Sequence, residues 1–378
     1  MRIMMGGRDD NRRPNILTLP LLPLFRGSVN LEEFDWELDF PMNFGTEWAG
    51  SLGDFAFPNL TTFKLTASPT DGLYTSDLFD FLKTSPTLRT VEVRINGRIL
   101  PNSIPRDTLV LPNVETFSLR SMDSTWNVYE SAIHVSCPRA KYTSLINEIP
   151  HDQFTFDPDT DTIFPDSVSW SSIVRQYTAS PVEEVTFEIN RIQSEFVNVF
   201  SLTFRSPDAT VIELGFEFPN SGQDGMNLEI FTRACRTIQD HPKVSHVRRL
   251  HIKDRSGILD GSNALAMAGL VEALFRSLGP LDELTVHGCD LQIFFAPHIY
   301  LWEFRSAGRQ FPPVQELTIL EPLVFDEQQD MDGLEELARL QHELNQPLER
   351  VTVRARVIPT TLAERLRQWV GTVECYEL

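Results

Sequence analysis

GPLDELTVHGCDL, residues 279–291, decides how the rest of the chain is read. Leu281, Leu284, Val286 and Leu291 fall on the spacing L-x-x-L-x-L-x-x-(N/C)-x-L, with Cys289 in the N/C slot. Anchors at +3 and +5 from the first leucine alternate with polar residues, so a short strand would turn one face to a core and one to water. A small polar group in the N/C slot suits hydrogen bonding to loop backbone, a structural role for Cys289 that outweighs a catalytic one.

Working outward, the same skeleton recurs on both sides. FPNLTTFKL (Leu60, Phe63, Leu65), SPTLRTVEV (Leu88, Val91, Val93) and LPNVETFSL (Val114, Phe117, Leu119) each carry a proline two places before the first anchor. CPRAKYTSL (Ala140, Thr143, Leu145) is a weaker copy. Later copies move the proline next to the anchor or lack it: SPVEEVTF, SHVRRLHI, PPVQELTI and QPLERVTV, led by Val182, Val247, Val314 and Leu348. First anchors at 60, 88, 114, 140, 182, 247, 281, 314 and 348 are separated by 28, 26, 26, 42, 65, 34, 33 and 34 residues. The two long steps require a degenerate copy or an insertion, an irregular excursion around 146–240. Within it 150–180 read as loop-rich, while FVNVFSLTF (196–204) and TVIELGFEF (210–218) read as extra strands, a hairpin added to the sheet.

Between strands lie amphipathic segments at helical spacing. SDLFDFLK (76–83) opens on a serine suited to an N-cap. NALAMAGLVEALFRSLG (263–279) stops at Gly279 and Pro280, and MDGLEELARLQHELNQP (331–347) places leucines at 334, 337, 340 and 344. Helix, proline, strand in repeated order requires parallel strands joined by right-handed crossovers. No single copy can bury its apolar face alone, so stacking must supply the core. The expected fold is α/β, an irregular leucine-rich-repeat solenoid with a curved parallel sheet and helices on the convex side. It covers 51–378, behind an N-terminal segment or cap over 1–50.

The totals narrow the function. Of 378 residues, 41% are hydrophobic, enough for an extensive core. Lys and Arg number 33 against 53 Asp and Glu, a net charge of −20. That balance argues against a grip on nucleic acid, which needs cations to neutralise phosphates. The opening MRIMMGGRDDNRRPN has no apolar signal core, and ILTLPLLPLF (16–25) is short and broken by Pro20 and Pro23. No membrane association and a cytoplasmic or nuclear location are expected. Cys137, Cys235, Cys289 and Cys375 are far apart, which indicates neither a zinc cluster nor a disulfide framework.

Motifs of chemistry are weak throughout. DPDTDT (157–162) resembles the start of a calcium loop, but Thr162 and Val168 occupy the positions that need Gly and Glu. His241, His246 and His251 are spaced by five, which suits one face of neither helix nor strand. His287 and Cys289 share a face of an extended segment, but Cys289 already has its structural slot. The expectation is no catalytic residue, no metal and no cofactor. What remains is the polar face of the strands. Its basic and histidine residues, Arg94, Arg120, Arg249, His251, Lys253, His287, Arg350 and Arg354, are the candidate partner-binding surface. Arg249, Lys253, Arg350 and Arg354 are the first choice for an acidic segment of a protein partner. The plainer reading is a row of solvated residues that keeps the sheet soluble.

Taken together, FPNLTTFKL, LFDFLKTSPTLRTVEV, LPNVETFSLR, CPRAKYTSL, RRLHI, FRSLGPLDELTVHGCDL, FPPVQELTI and AERLRQWVGTVECYEL resemble the repeat region of fungal F-box-associated leucine-rich-repeat proteins. The resemblance spans about residues 50 to 378. It implies repeats that present a substrate, behind an F-box that binds a Skp-type adaptor and a cullin ligase. RPNILTLPLLPLFRGSVNLEEFDWELDF (13–40) lacks the leucine-proline-led helical run and later Trp of such a module, and reads as an extra strand or cap. The expected function is a protein-interaction scaffold, either substrate recognition in an F-box-type ubiquitin ligase or stand-alone binding without ubiquitination.

Overall fold

A proline fixes φ and cannot donate a hydrogen bond, so a chain that meets one before a strand turns there. The first four copies turn alike. The N–H of Leu60 donates to the Phe57 carbonyl (3.1 Å), Leu88 to Ser85 (3.3 Å), Val114 to Leu111 (3.4 Å) and Ala140 to Cys137 (3.0 Å). Past the turn, two successive N–H groups share one carbonyl of the preceding copy. Arg89 and Thr90 both donate to Thr61, Glu115 and Thr116 to Arg89, Lys141 and Tyr142 to Glu115. Arg248 and Arg249 do the same to Glu183, and Asp282 and Glu283 to Arg248. The acceptor is each time the residue after the first anchor.

The structure, a computed structural model, describes residues 2–5, 30–42, 57–69, 73–95, 99–100, 108–121, 128–148, 170–178, 180–192, 197–219, 224–240, 244–256, 264–294, 312–322 and 329–378. The fold is α/β, with long runs of parallel strands. In chain order the strands are β1 (Arg2–Met5), β2 (Glu33–Met42), β3 (Thr62–Pro69), β4 (Leu73–Tyr74), β5 (Thr90–Ile95) and β6 (Ile99–Leu100). There follow β7 (Leu109–Val110), β8 (Thr116–Ser121), β9 (Val135–Ser136), β10 (Tyr142–Glu148), β11 (Glu184–Ile192) and β12 (Val197–Arg205). The last are β13 (Val211–Pro219), β14 (Arg249–Asp254), β15 (Leu281–His287), β16 (Val314–Leu320), β17 (Arg350–Ala355) and β18 (Thr372–Glu377). Helices are α1 (Thr75–Lys83), α2 (Val128–Ala132), α3 (Trp170–Tyr177), α4 (Asp224–Gln239), α5 (Ala264–Ser277), α6 (Gln329–Glu343) and α7 (Leu362–Leu366).

The chain divides into two compact units. The first takes in Met1–Thr155, Asp161–Ala179 and Ala209–Pro219. Its strands run β1, β2, β3, β5, β8, β10, β13, every neighbouring pair parallel. Short parallel pairs, β4 with β6 and β7 with β9, accompany them. The burial of β5 and β8 alternates strictly, as a strand with one wet face must. Aromatic anchors knit the copies: the Phe34 and Phe63 rings stack at 5.4 Å, and Phe81 of α1 lies 4.7 Å from Phe63. Trp170 of α3 packs on Tyr129 (5.4 Å) and Phe216 (6.2 Å), and the Tyr129 hydroxyl donates to the Gly215 carbonyl at 2.7 Å. The loop-rich reading of 150–180 is therefore corrected toward its C-terminal end. Trp170–Tyr177 form a helix, because Trp170, Ile173, Val174 and Tyr177 make an apolar face that is buried. Residues 150–169, including DPDTDT, lie outside the described residues.

The second unit takes in Phe156–Thr160, Ser180–Asp208 and Asn220–Leu378. β12 lies antiparallel to β11, and from β11 the order β14, β15, β16, β17, β18 is parallel throughout. β12 and β13 are strands, as FVNVFSLTF and TVIELGFEF predict. β12 pairs antiparallel with β11, and β13 pairs with β10 inside the first unit. Phe187 meets Phe200 and Phe231 of α4, each at 5.2 Å. Gly288 has φ +70°, and a Cβ there would stand 1.9 Å from the Asp254 carbonyl oxygen, so only glycine lets the chain leave β15 this close to β14. Arg365 of α7 ties to α6 through Asp332 (2.7 Å) and Glu335.

Every first anchor from Leu60 to Leu348 is at most 7% exposed. At roughly 1.5–3 kcal/mol for each large aliphatic side chain removed from water, these anchors supply a large share of the stabilisation. The expected boundary at 50/51 falls outside the described residues. N-terminal to it, β2 pairs with β3, with Phe34 opposite Phe63 and Trp36 opposite Leu65.

Candidate functional site

With the second, fourth and sixth residues of β5, β8, β14 and β17 turned inward, the residues between them form a polar face, and register decides which of them meet. In the first unit Arg94 and Arg120 are cross-strand neighbours on β5 and β8. Arg120 reaches past β10 to pair with Glu217 of β13. Lys64 and Glu92 pair at 2.8 Å. The Glu213 carboxylate accepts from Tyr142 (2.6 Å) and Ser144 (2.9 Å). Burial, with this hydrogen bond, pushes the Tyr142 hydroxyl up to about 12, so it stays a donor at neutral pH.

The other six candidates lie in the second unit, on β14, β15 and β17. Three rows run across the strands, two residues apart along each strand. The first holds Glu184, Arg249, Glu283, Glu316 and Arg350, with Arg205 of β12 opposite Glu184. It is largely neutralised from within. Arg249 bonds Glu184 at 3.1 Å and Glu183 at 3.0 Å, Arg205 lies 3.9 Å from Glu184, and Arg350 lies 3.5 Å from Glu316. The middle row is Thr186, His251, Thr285, Thr318 and Thr352. The third is Glu188, Lys253, His287, Leu320, Arg354 and Tyr376.

Cross-strand partners thus subdue much of the basic set. His251 Nδ1 lies 3.8 Å from Glu283, and His287 Nε2 lies 3.8 Å from Glu321. Burial lowers the His251 pKa against the pull of Glu283 and Glu184, so the ring is neutral at pH 7. Arg354 lies over the Tyr376 ring at 5.2 Å. Lys253 makes no ion pair among the described residues. Of the four first-choice cations, two are spoken for by carboxylates, and Lys253 and Arg354 are left. Arg205, Glu217 and Tyr376 also belong to this face and are absent from the eight sequence candidates. Tyr376 was legible in a further copy of the skeleton, Val370, Val373 and Cys375, which forms β18.

The four thiols are unpaired. Burial pushes Cys137 and Cys235 up to about 12 and Cys289 well above its usual value, and the Cys289 thiol lies 3.3 Å from the His287 carbonyl oxygen. Thiols held protonated are poor nucleophiles. Among the described residues no group of three or more His, Cys, Asp or Glu side chains could hold a metal ion, and no helix is long and apolar enough to cross a membrane.

No protein-family model matches the chain, and no curated protein and no solved structure matches it either.

Proposed function

We propose that this chain is a non-enzymatic protein-interaction scaffold, an irregular leucine-rich-repeat solenoid that holds a partner on the polar face of its parallel strands. One observation carries the reading. After five of the first anchors the next residue (Thr61, Arg89, Glu115, Glu183 and Arg248) accepts two successive N–H groups of the next copy, so copies of unequal length keep one register. Such an array stacks many short strands and offers a broad face of alternating side chains. The resemblance to F-box-associated repeat proteins makes substrate recognition in a ubiquitin ligase the first form of this role. Stand-alone binding is the second.

The test is affinity purification of the tagged chain beside a variant with Thr318→Arg and Thr352→Arg on the polar face. Partners recovered with the first and lost with the second support the scaffold. Partners held equally by both would sink it. A Skp-type adaptor and cullin among those recovered selects the ligase form, and their absence beside reproducible partners selects stand-alone binding.

A further inference from the structure

On the second unit's face, one row of short side chains is bounded by two rows of long ones. Thr186, Thr318 and Thr352, with His251 and the buried Thr285 among them, form a floor one strand apart. The Thr186, Thr318 and Thr352 hydroxyls make no hydrogen bond among the described residues, whereas Thr285 donates to Glu283 at 2.8 Å. Rows two residues apart on a strand are separated by ~6.7 Å, so the bounding rows stand ~13 Å apart. That width admits one extended polypeptide lying across the strands.

The walls differ in charge. One side is tied up internally by the pairs around Glu184, Arg249, Glu316 and Arg350. The other begins at Glu188 and holds Lys253 and Arg354, which no carboxylate among the described residues pairs. Between them along the row stand His287 and Leu320, so the two cations are three strand spacings apart. At ~4.8 Å per spacing this is ~14 Å. Residues i and i+4 of an extended segment are separated by ~13 Å, at ~3.3 Å per residue. The two distances match.

We propose that this trough takes an extended acidic peptide segment whose carboxylates, four residues apart, pair with Lys253 and Arg354 while its backbone lies on the threonine hydroxyls. The proposal rests on the reading of this face as the contact surface, and it names the partner's chemistry. A chain of net charge −20 repels acidic segments in general. Recognition therefore depends on the spacing of the two local cations.

The experiment is selection of a random decapeptide display library on the full purified chain at low ionic strength. Enrichment of peptides with Asp or Glu at i and i+4 is expected. Their affinity should fall at least about tenfold on Lys253→Glu with Arg354→Glu, because each contact then sets like charges together. Both side chains reach solvent, so unchanged melting temperature is expected, and Lys253→Ala with Arg354→Ala serves if the reversal unfolds. Enriched peptides without that spacing, equal binding by the variants, or no enrichment overturns the proposal. If peptides of another pattern are enriched and lose binding on Thr318→Arg, the acidic segment falls while the face stands as a contact surface.

Discussion

At the scale of single residues, the interior tolerates neither charge nor an extra carbon at its tightest points. Leu284 is 2% exposed in the middle of β15. Leu284→Asp would bury an unpaired carboxylate, at a cost of roughly 4 kcal/mol or more, and loss of the cooperative thermal transition by circular dichroism is expected. Gly288→Ala combines positive φ with a backbone collision. A loss of about 1–3 kcal/mol in urea unfolding is expected, and an unchanged midpoint would show that the loop relaxes freely. His251 gives a pH signature. Its folded pKa lies below the unfolded value of ~6.5, since burial, with Arg249 and Lys253 on its own strand, outweighs Glu184 on β11 and Glu283 on β15. The unfolded chain therefore binds the proton first. The stabilisation is complete above pH ~6.5 and is lost as pH falls toward the folded pKa. His251→Gln should reduce the fall in melting temperature between pH ~7.5 and ~5.5 relative to the unaltered chain.

At the scale of elements, α3 shows what local pattern can and cannot reveal. Trp170 fastens this two-turn helix to α2 and β13 through Tyr129 and Phe216. Trp170→Ala should cost about 3–5 kcal/mol and raise hydrogen exchange in β13 and α2. The strands of the regular copies were legible because proline, the first anchor and the +3 and +5 positions coincide within nine residues. Helices α1, α5 and α6 were legible from leucine spacing. Two outer copies, led by Leu31 and Val370, lack the proline cue; the first is legible only as an extra strand or cap within 13–40, although Phe34 and Trp36, then Val373 and Cys375, keep the +3 and +5 positions. α4 was obscure because its inward face uses Ala234 and Cys235 between Phe231 and Ile238, small residues that dilute the periodicity. The pairing of β13 with β10 joins residues separated by about seventy positions, a separation no short pattern encodes. The candidate surface shows the same limit. The cations could be placed on the polar face from alternation alone. Their neutralisation depends on register across insertions, as when Glu184 meets Arg249 over a separation of 65 residues.

At the scale of the whole molecule, charge sets the response to solvent. The excess of acidic residues makes every compact form repel itself, while the cross-strand ion pairs are partly exposed and each contributes about 1 kcal/mol or less. Raising salt from ~0.02 to ~0.3 M shortens the screening length to a few ångströms. Relief of repulsion should then outweigh weakened pairs, and the melting temperature should rise. A fall would mean that the ion-pair rows contribute more than their exposure allows.

The carbonyls of Thr61, Arg89, Glu115, Glu183 and Arg248 are acceptors common to copies of quite different length. A joint built from backbone alone is indifferent to side chains, so an array made this way can gain or lose a whole copy and still close the seam. The number of copies is then open to inheritance as a quantity, through duplication and deletion, while the residues between the anchors vary separately to suit what is held.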